Sequence, residues 1–176
     1  KFPAFQASRW SGNLSRPFIP DRMRHSMRTR AKICGLTREQ DIHAAITAGV
    51  DAIGLVFYEP SPRHVSIEQA QKLASVVPAF VTVVGLFVNA DRKYVEECIH
   101  SLRIDLLQFH GDETAEFCEH FNRPYIKALR VAPDTDIAAY ASAYGSASGL
   151  LLDTYQKGAP GGTGEAFNWK LIPEKL

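Results

Sequence analysis

The stretch AKICGLTREQDIHAAITAGVDAIGLVF, residues 31–57, decides the predicted fold because it contains one complete strand–helix–strand unit. An apolar-rich strand ends at Cys34, a helix pattern covers residues 38–48, and residues 52–57 are continuously apolar. A continuously apolar strand is buried on both faces, which is typical of a parallel sheet. Parallel neighbours need a long crossover connection, and the helix supplies it.

Capping signals predict where the helices begin and end. Thr37 and Gln40 predict a capping box at the start of the first helix, and Gly49 predicts its C-terminal stop. The further caps are predicted at Ser66 with Gln69 for the second helix and at Asn89 for the third.

The same strand–helix pattern recurs along the rest of the chain. Repeated βα units leave two architectures, an open doubly wound sheet and a (β/α)8 barrel. An eight-stranded barrel needs two more strands than the sequence contains, so we expect a barrel truncated to about six βα units. The six strands are predicted at residues 31–34, 52–57, 80–87, 105–109, 125–130 and 149–153.

Polar residues within the strands favour the α/β fold of a (β/α)8 TIM barrel over the open sheet. They recur at alternate positions, and an open sheet covered by helices has little room for them, whereas the inside and mouth of a barrel can hold them. The polar pairs expected in such settings are Lys32 with Cys34, Gln108 with His110, and Lys127 with Asp153.

Residues 1–30 differ in composition from the rest of the chain. They hold seven Lys or Arg residues and one acid, contain three prolines and show no clear period. We expect a disordered or non-native leader there, ahead of a partial barrel domain over residues 31–176. A transit peptide, which is also rich in Arg and Ser and poor in acids, is the alternative interpretation.

Charge and cysteine content limit the expected partners. Residues 31–176 hold thirteen basic and eighteen acidic residues, and a mildly acidic body disfavours nucleic acid as the main partner. No apolar run approaches the ~18 residues of a membrane helix, so no membrane partner is expected. Three cysteines at unrelated spacings predict neither a disulfide framework nor a metal site, which favours a reducing, cytoplasmic compartment.

Cys34 and Asp153 are the leading catalytic candidates, because functional side chains of barrels gather at the carboxyl ends of strands. They end the first and sixth strands, so a closed eight-strand ring would hold them on different sides of one mouth. An acid and a base facing a small substrate can protonate one atom and deprotonate another. Lys32 lies two residues before Cys34 on the same face, where its ammonium would favour the thiolate. A buried structural cysteine and a loop-capping aspartate are the alternatives.

Four further features point to binding at the mouth. Arg63, in the loop after the second strand, can hold a carboxylate or phosphate through its planar guanidinium, and Arg130 has the same property. Either arginine is otherwise a solvated surface residue. His110 can line the mouth or be a hydrogen-bonded structural histidine, and no histidine pair has metal-ligand spacing. The glycine-rich loop 158–166, which includes Gly162, matches no nucleotide-binding motif and favours a mobile flap, with a plain flexible loop as the alternative.

An ordered set of motifs resembles a known family. KICGLTREQD, GVDAIGLVFYEPSPR, VGLFVN, LLQFHGDE, LLLDT and GGTGEAFNW occur in this order within residues 31–176. Together they resemble the phosphoribosylanthranilate isomerases of tryptophan biosynthesis. The resemblance implies a (β/α)8 barrel enzyme that works without a cofactor on a small phosphorylated substrate, as a monomer or homodimer.

The resemblance also implies a reaction and a role for each site residue. These enzymes convert N-(5-phosphoribosyl)anthranilate to 1-(2-carboxyphenylamino)-1-deoxyribulose 5-phosphate by an Amadori rearrangement. The cysteine of KICG, Cys34, would be the general base and the aspartate of LLLD, Asp153, the general acid. The arginine of the S-x-R loop, Arg63, would bind the anthranilate carboxylate. The other residues expected to contact the substrate are Lys32, His110 and Gly162.

Two alternatives to this reading stay open on the sequence. The family holds its substrate phosphate with loops after strands seven and eight, which we expect to be absent, so an inactive half-barrel remnant is one alternative. Another sugar-phosphate barrel isomerase is the second. An enzyme that uses two aspartates would have an aspartate in place of Cys34, and a metal-dependent epimerase would have His and acid ligands at several strand ends.

Overall fold

The computed structural model describes residues 28–154 and 169–173. Strands and helices alternate along the chain, and a short 3-10 turn follows at Trp169–Leu171. The elements are β1 Lys32–Cys34, α1 Glu39–Thr47, β2 Ala52–Val56, α2 Ile67–Ser75, β3 Thr82–Phe87, α3 Arg92–Ser101, β4 Leu106–Phe109, α4 Ala115–Glu119, β5 Tyr125–Val131, α5 Ile137–Ala143 and β6 Gly149–Thr154.

The six strands form one parallel sheet in the order in which they occur in the sequence. This order confirms the predicted βα repeat, and each strand lies within two residues of its predicted bounds. The sheet curls into part of a barrel, with helices on its outer side. None of the helices in the described part of the chain has the length and apolar character needed to span a membrane.

The outer face of the sheet carries the main hydrophobic core. Successive strand residues point to opposite faces, and the set that faces outward is covered by apolar residues of α1–α4. Burial of these side chains is the largest favourable contribution to folding. The strand residues in this core include Ile53, Leu55, Val83, Leu107 and Phe109.

Phe109 lies at the centre of an aromatic cluster within this core. Its ring centroid is 5.8 Å from those of Phe117 and Phe121, 5.9 Å from that of Tyr125 and 6.3 Å from that of Phe87. These distances and the stacked, tilted or edge-on geometries are those at which aromatic rings attract each other. The cluster fastens β4 to β3, to β5 and to α4.

The first helix begins without the capping box that the sequence predicted. The N-cap is Arg38, which makes no side-chain capping hydrogen bond, so the box of Thr37 and Gln40 is wrong. Arg38 instead donates from Nε and Nη2 to the Asp41 carboxylate at 2.6 and 2.8 Å. An acid in the first turn is stabilised by the exposed N–H groups of the helix, which explains how the helix starts without a polar cap.

The end of α1 matches its prediction. Gly49 has a φ of +81°, and its N–H donates to the Ile46 carbonyl at 2.9 Å. The Val50 N–H donates to the Ala45 carbonyl at 3.3 Å, which completes the Schellman pattern that glycine permits.

The other two predicted caps have mixed outcomes. Ser66 Oγ accepts from the Gln69 N–H at 3.1 Å, which confirms this cap, but the Gln69 side chain donates to the Thr37 carbonyl instead of closing the box. The Asn89 cap is wrong, because α3 has Asp91 as its N-cap. Asn89 adopts a φ of +49°, and its Oδ1 accepts from the Asp112 N–H at 2.7 Å. Both side chains therefore join neighbouring loops instead of capping helices.

The sequence suggested that Lys127 and Asp153 share a setting, and this prediction is wrong. In the register of β5 and β6, Lys127 pairs with Leu150, whereas Arg130 pairs with Asp153, so Lys127 and Asp153 lie on opposite faces. Lys127 is fully buried on the outer side, where Glu113 provides a carboxylate at 3.1 Å. A helix-covered face therefore accommodates a buried charge once that charge has a partner.

Most of the predicted leader lies outside the described residues, and the division into residues 1–30 and 31–176 stays a prediction. Residues 28–30 are described. Arg28 donates from Nη1 to Asp51 Oδ2 at 3.0 Å, which links this segment to the start of β2. This hydrogen bond is the main cause of a lowered pKa of the Asp51 carboxyl.

We predict that Phe109→Ala lowers the free energy of unfolding by about 3–5 kcal/mol, because it removes the ring at the centre of the cluster and leaves a cavity. Phe80→Ala is the matched control, since the Phe80 side chain is fully exposed and its loss should change stability by less than about 0.5 kcal/mol. Urea unfolding measures both. Equal effects of the two substitutions would contradict the assigned core.

Candidate active site

The inner face of the curled sheet carries the polar residues that the sequence singled out. Cys34 pairs in register with Gly54, and Arg130 pairs with Asp153, all on the face opposite to the hydrophobic core. Because all six strands are parallel, their carboxyl ends meet at one edge, which forms the mouth of the curve. The predicted alternation of polar residues is therefore confirmed for Cys34 and Asp153.

Cys34 has its thiol against the backbone of the neighbouring strand. A Cβ at Gly54 would lie 2.8 Å from Cys34 Sγ, a separation that real atoms do not tolerate. Gly54 therefore makes the room that the thiol occupies, a role that the sequence analysis did not assign. Cys34 is a free cysteine and is partly exposed, which fits a thiol that a ligand can reach.

Arg63 lies over the end of the first strand. Its Nη1 donates to the Cys34 carbonyl at 3.0 Å, and its stem crosses Gly35, where a Cβ would approach Arg63 Cδ to 2.6 Å. Gly35 also has a φ of +81°, so two separate constraints favour glycine there. The guanidinium is exposed and sits beside the thiol, as a carboxylate-binding group at the mouth would.

His110 and Asp153 are in contact across the strand that separates them. His110 Nε2 lies 3.2 Å from Asp153 Oδ2, and the Gln108 amide nitrogen lies 3.0 Å from His110 Nδ1. In this arrangement Gln108 donates to Nδ1, so the neutral imidazole carries its hydrogen on Nε2 and donates it to Asp153. The contact fixes the orientation of the carboxylate at the mouth.

Burial lowers the pKa of His110 below its usual 6.5, and this effect outweighs the opposing hydrogen bond and charge of Asp153. The positive charges of Lys127 and Lys32 also lower this pKa.

The register places Lys32 on the inner face of β1, the face that also carries Cys34. Its positive charge is the smallest of the causes that act on the His110 pKa. The contact of His110, directly after β4, with Asp153 on β6 brings the ends of these two strands to one shared space.

The β4–α4 loop adds polar residues that the sequence analysis did not single out. Arg130 on β5 makes an ion pair with Asp112, so its guanidinium is directed to the loop that follows the neighbouring strand β4. The signal in the sequence was the run His110–Gly111–Asp112–Glu113, in which polar groups directly follow a buried strand. Such a run marks the rim of a site but does not say which partners its residues choose.

The remaining candidates from the sequence are the glycine-rich loop, two further cysteines and a metal site. Gly162 and most of the loop 158–166 lie outside the described residues, so their predicted role is untested. Cys98 and Cys118 are buried packing residues, and burial raises the pKa of each thiol to about 12. No cluster of three or more His, Cys, Asp or Glu side chains within residues 28–154 and 169–173 is arranged to hold a metal ion.

A curled parallel βα sheet with polar groups at the carboxyl ends of its strands defines the class of TIM-barrel enzymes. Solved structures agree with this class. The phosphoribosyl anthranilate isomerase of Thermotoga maritima superposes with a TM-score of 0.73 at 34% identity, over 81% of this chain and 69% of that one. A phosphoribosyl anthranilate isomerase in complex with reduced 1-(o-carboxyphenylamino)-1-deoxyribulose 5-phosphate gives a TM-score of 0.67 at 33% identity, over 72% of this chain and 66% of that one.

Sequence comparisons identify the family within this class. The profile of N-(5'phosphoribosyl)anthranilate (PRA) isomerase matches residues 31–176. An N-(5'-phosphoribosyl)anthranilate isomerase of Pseudomonas fluorescens is 60% identical over 147 residues, which cover 84% of this chain and 72% of the relative. The chain belongs to the N-(5'-phosphoribosyl)anthranilate isomerase family.

We predict that His110 titrates below pH 6.5, and that Asp153→Asn lowers its pKa further because the anion that opposes the shift is lost. Between the folded pKa and 6.5 the unfolded chain binds more protons at His110, so this group's contribution to stability should be lost as the pH falls through that window. NMR titration of the imidazole measures the pKa. A titration at or above 6.5, or a rise in Asp153→Asn, would contradict the assigned contact.

Proposed function

We propose that this chain catalyses the Amadori rearrangement of N-(5'-phosphoribosyl)anthranilate to 1-(2-carboxyphenylamino)-1-deoxyribulose 5-phosphate, a step in tryptophan biosynthesis. Asp153 acts as the general acid and Cys34 as the general base. The observation that supports this most is that a partly exposed thiol and a histidine-bound carboxyl both lie on the inner face of one curled sheet. Family membership independently favours the same reaction.

The first step opens the sugar ring. The carboxyl of Asp153 gives its proton to the ribose ring oxygen, the bond from that oxygen to C1′ breaks, and the lone pair of the anthranilate nitrogen forms a C1′–N double bond. His110 orients the carboxyl through its 3.2 Å contact.

The second step moves a proton from carbon. The Cys34 thiolate removes the proton at C2′, the electrons of that bond form a C1′–C2′ double bond, and the iminium becomes a neutral amine. The resulting enolamine relaxes to the C2′ ketone as a proton is added at C1′ and one is lost from the C2′ hydroxyl. Lys32 lies two residues before Cys34 on the same face of β1, so its ammonium and the thiol are proposed to face the same substrate.

Arg63 is the proposed holder of the anthranilate carboxylate. Its guanidinium is exposed next to Cys34, and a bidentate arginine–carboxylate pair fixes a planar ligand in orientation as well as in position. The substrate-binding roles of Lys32, His110 and Gly162 belong to the same proposal. Lys32 and His110 face the inside of the curve, and Gly162 is proposed as part of a flap that covers the substrate.

The proposed setting is cytoplasmic, and the assembly is a monomer or a homodimer that binds no nucleic acid. A free thiol at position 34 is required for the reaction, and all three cysteines of the chain are free, as a reducing compartment would keep them.

We predict that Cys34→Ser and Asp153→Asn each lower kcat for the isomerisation by about 10²–10⁴-fold, the usual contribution of a positioned acid or base. Cys98→Ser and Asp105→Asn are matched controls, because Cys98 is buried on α3 and Asp105 directly precedes β4, at the end of the sheet opposite to the mouth. Loss of N-(5'-phosphoribosyl)anthranilate over time measures the rate. A kcat near that of the unmodified protein in either site variant would remove that residue from its role.

A further inference from the structure

We propose that the buried ion pair of Lys127 and Glu113 is a positioning device, which holds the His110 imidazole against Asp153 by clamping the peptide that follows it. Neither residue is exposed to the mouth, and neither enters the proposed chemistry. The effect on turnover rests on the proposed function, whereas the effect on the geometry of His110 does not.

The clamp holds both polar groups of Gly111, the residue directly after His110. The Gly111 N–H donates to Glu113 Oε2 at 2.9 Å, and its carbonyl accepts from Lys127 Nζ at 2.7 Å. Lys127 Nζ also donates to Glu113 Oε2 at 3.1 Å, which closes the ring of contacts. With the His110 N–H bound to the Phe87 carbonyl at 2.9 Å, the backbone is fixed on both sides of the imidazole.

The same carboxylate fastens the adjacent loop. Glu113 Oε1 accepts from the Asn89 N–H at 2.7 Å, and Asn89 Oδ1 accepts from the Asp112 N–H at 2.7 Å. A Cβ at Gly111 would lie 2.7 Å from Asn89 Cγ and 2.8 Å from Asn89 N, so the two loops are in direct contact. One buried carboxylate thereby joins the β3–α3 loop, the β4–α4 loop and β5.

Burial makes the pair costly as a means of stability alone. Lys127 is 0% exposed and Glu113 6%, and taking two charges out of water offsets most of their attraction. An apolar pair of the same volume would often stabilise a fold as well, but it could not bind the N–H and carbonyl groups of Gly111 and Asn89. The ion pair adds directional hydrogen bonds to the backbone, and two of them bind Gly111, the residue next to His110.

The α5 side of the network keeps water away from it. Tyr144 donates from its hydroxyl to the Glu113 carbonyl at 2.8 Å, and Lys127 Nζ lies 5.6 Å from the centre of the Tyr144 ring. In a dry setting each of these hydrogen bonds is stronger, and a missing partner is more disruptive.

The test compares Glu113→Gln with Asp105→Asn by the 15N chemical shifts of the His110 imidazole, which report its tautomer and hydrogen bonding, and by steady-state kinetics. Asp105→Asn is the matched control, because Asp105 also accepts a backbone N–H, from Val83 at 2.8 Å, and pairs with Arg103, but at the other end of the sheet. We expect Glu113→Gln to shift the His110 signals and lower kcat by about tenfold or more, with a change in KM below about threefold. Asp105→Asn should change neither.

Unchanged His110 signals and kcat in folded Glu113→Gln would overturn the proposal, as would equal changes in Asp105→Asn. If Glu113→Gln does not fold, Asn89→Gly replaces it. Asn89 is exposed and has a φ of +49°, which glycine tolerates, and its loss removes the acceptor for Asp112 N–H alone. A smaller shift of the His110 signals then supports the proposal, and unchanged signals overturn it. The two proposals can fail separately. If the unmodified chain has no isomerase activity but Glu113→Gln still shifts the His110 signals, the proposed function is rejected and the clamp is retained.

Discussion

The structure depends on one constraint, the alternation of side chains along buried parallel strands. One set of alternate residues must be covered by helices, and it is apolar at nearly every position, from Ile53 on β2 to Phe109 on β4. The other set faces the inside of the curve and is thereby released for polar groups. Cys34 and Asp153 belong to this second set. The packing that folds the sheet therefore also decides which strand positions can hold a thiol and a carboxylate on the inner face.

Polar groups on the inner face are then tuned by their neighbours. The imidazole of His110 is held neutral chiefly by burial, and its hydrogen on Nε2 is directed to the Asp153 carboxylate. Gly54 leaves space for the thiol of Cys34, and Gly35 lets Arg63 cross the end of the first strand. The glycines of the mouth are thus as necessary to the site as the ionisable groups.

The sequence predicted the elements of this fold better than the contacts between them. Periodicity locates strands because a buried strand must be apolar along its whole length, and Gly49 predicted a helix end because only a positive φ allows that turn. The hydrogen-bond partners of polar loop residues were harder to predict, because Thr37, Gln40 and Asn89 can bond to any nearby donor or acceptor. Tertiary contacts decided the outcome for Asn89, which serves a neighbouring loop instead of capping its own helix.

Lys127 shows the same limit for a strand residue. A charged side chain within an apolar strand suggested the open mouth, because an unpaired buried charge is costly. The partner that makes burial of Lys127 acceptable is Glu113, fourteen positions earlier in the sequence. No local sequence pattern predicts this pairing. The positions of Cys34 and Asp153 at the mouth could be predicted because strand ends in a parallel sheet meet at one edge, a rule that needs no knowledge of distant contacts.

The pKa of His110 in Lys32→Met tests the curl of the sheet most directly, since it asks whether β1 and the end of β4 face one space. We predict that this pKa rises when the Lys32 charge is removed, while Lys72→Met, on α2 outside the curve, leaves it unchanged. An identical His110 pKa in Lys32→Met and in the unmodified protein would contradict a shared mouth and, with it, the site.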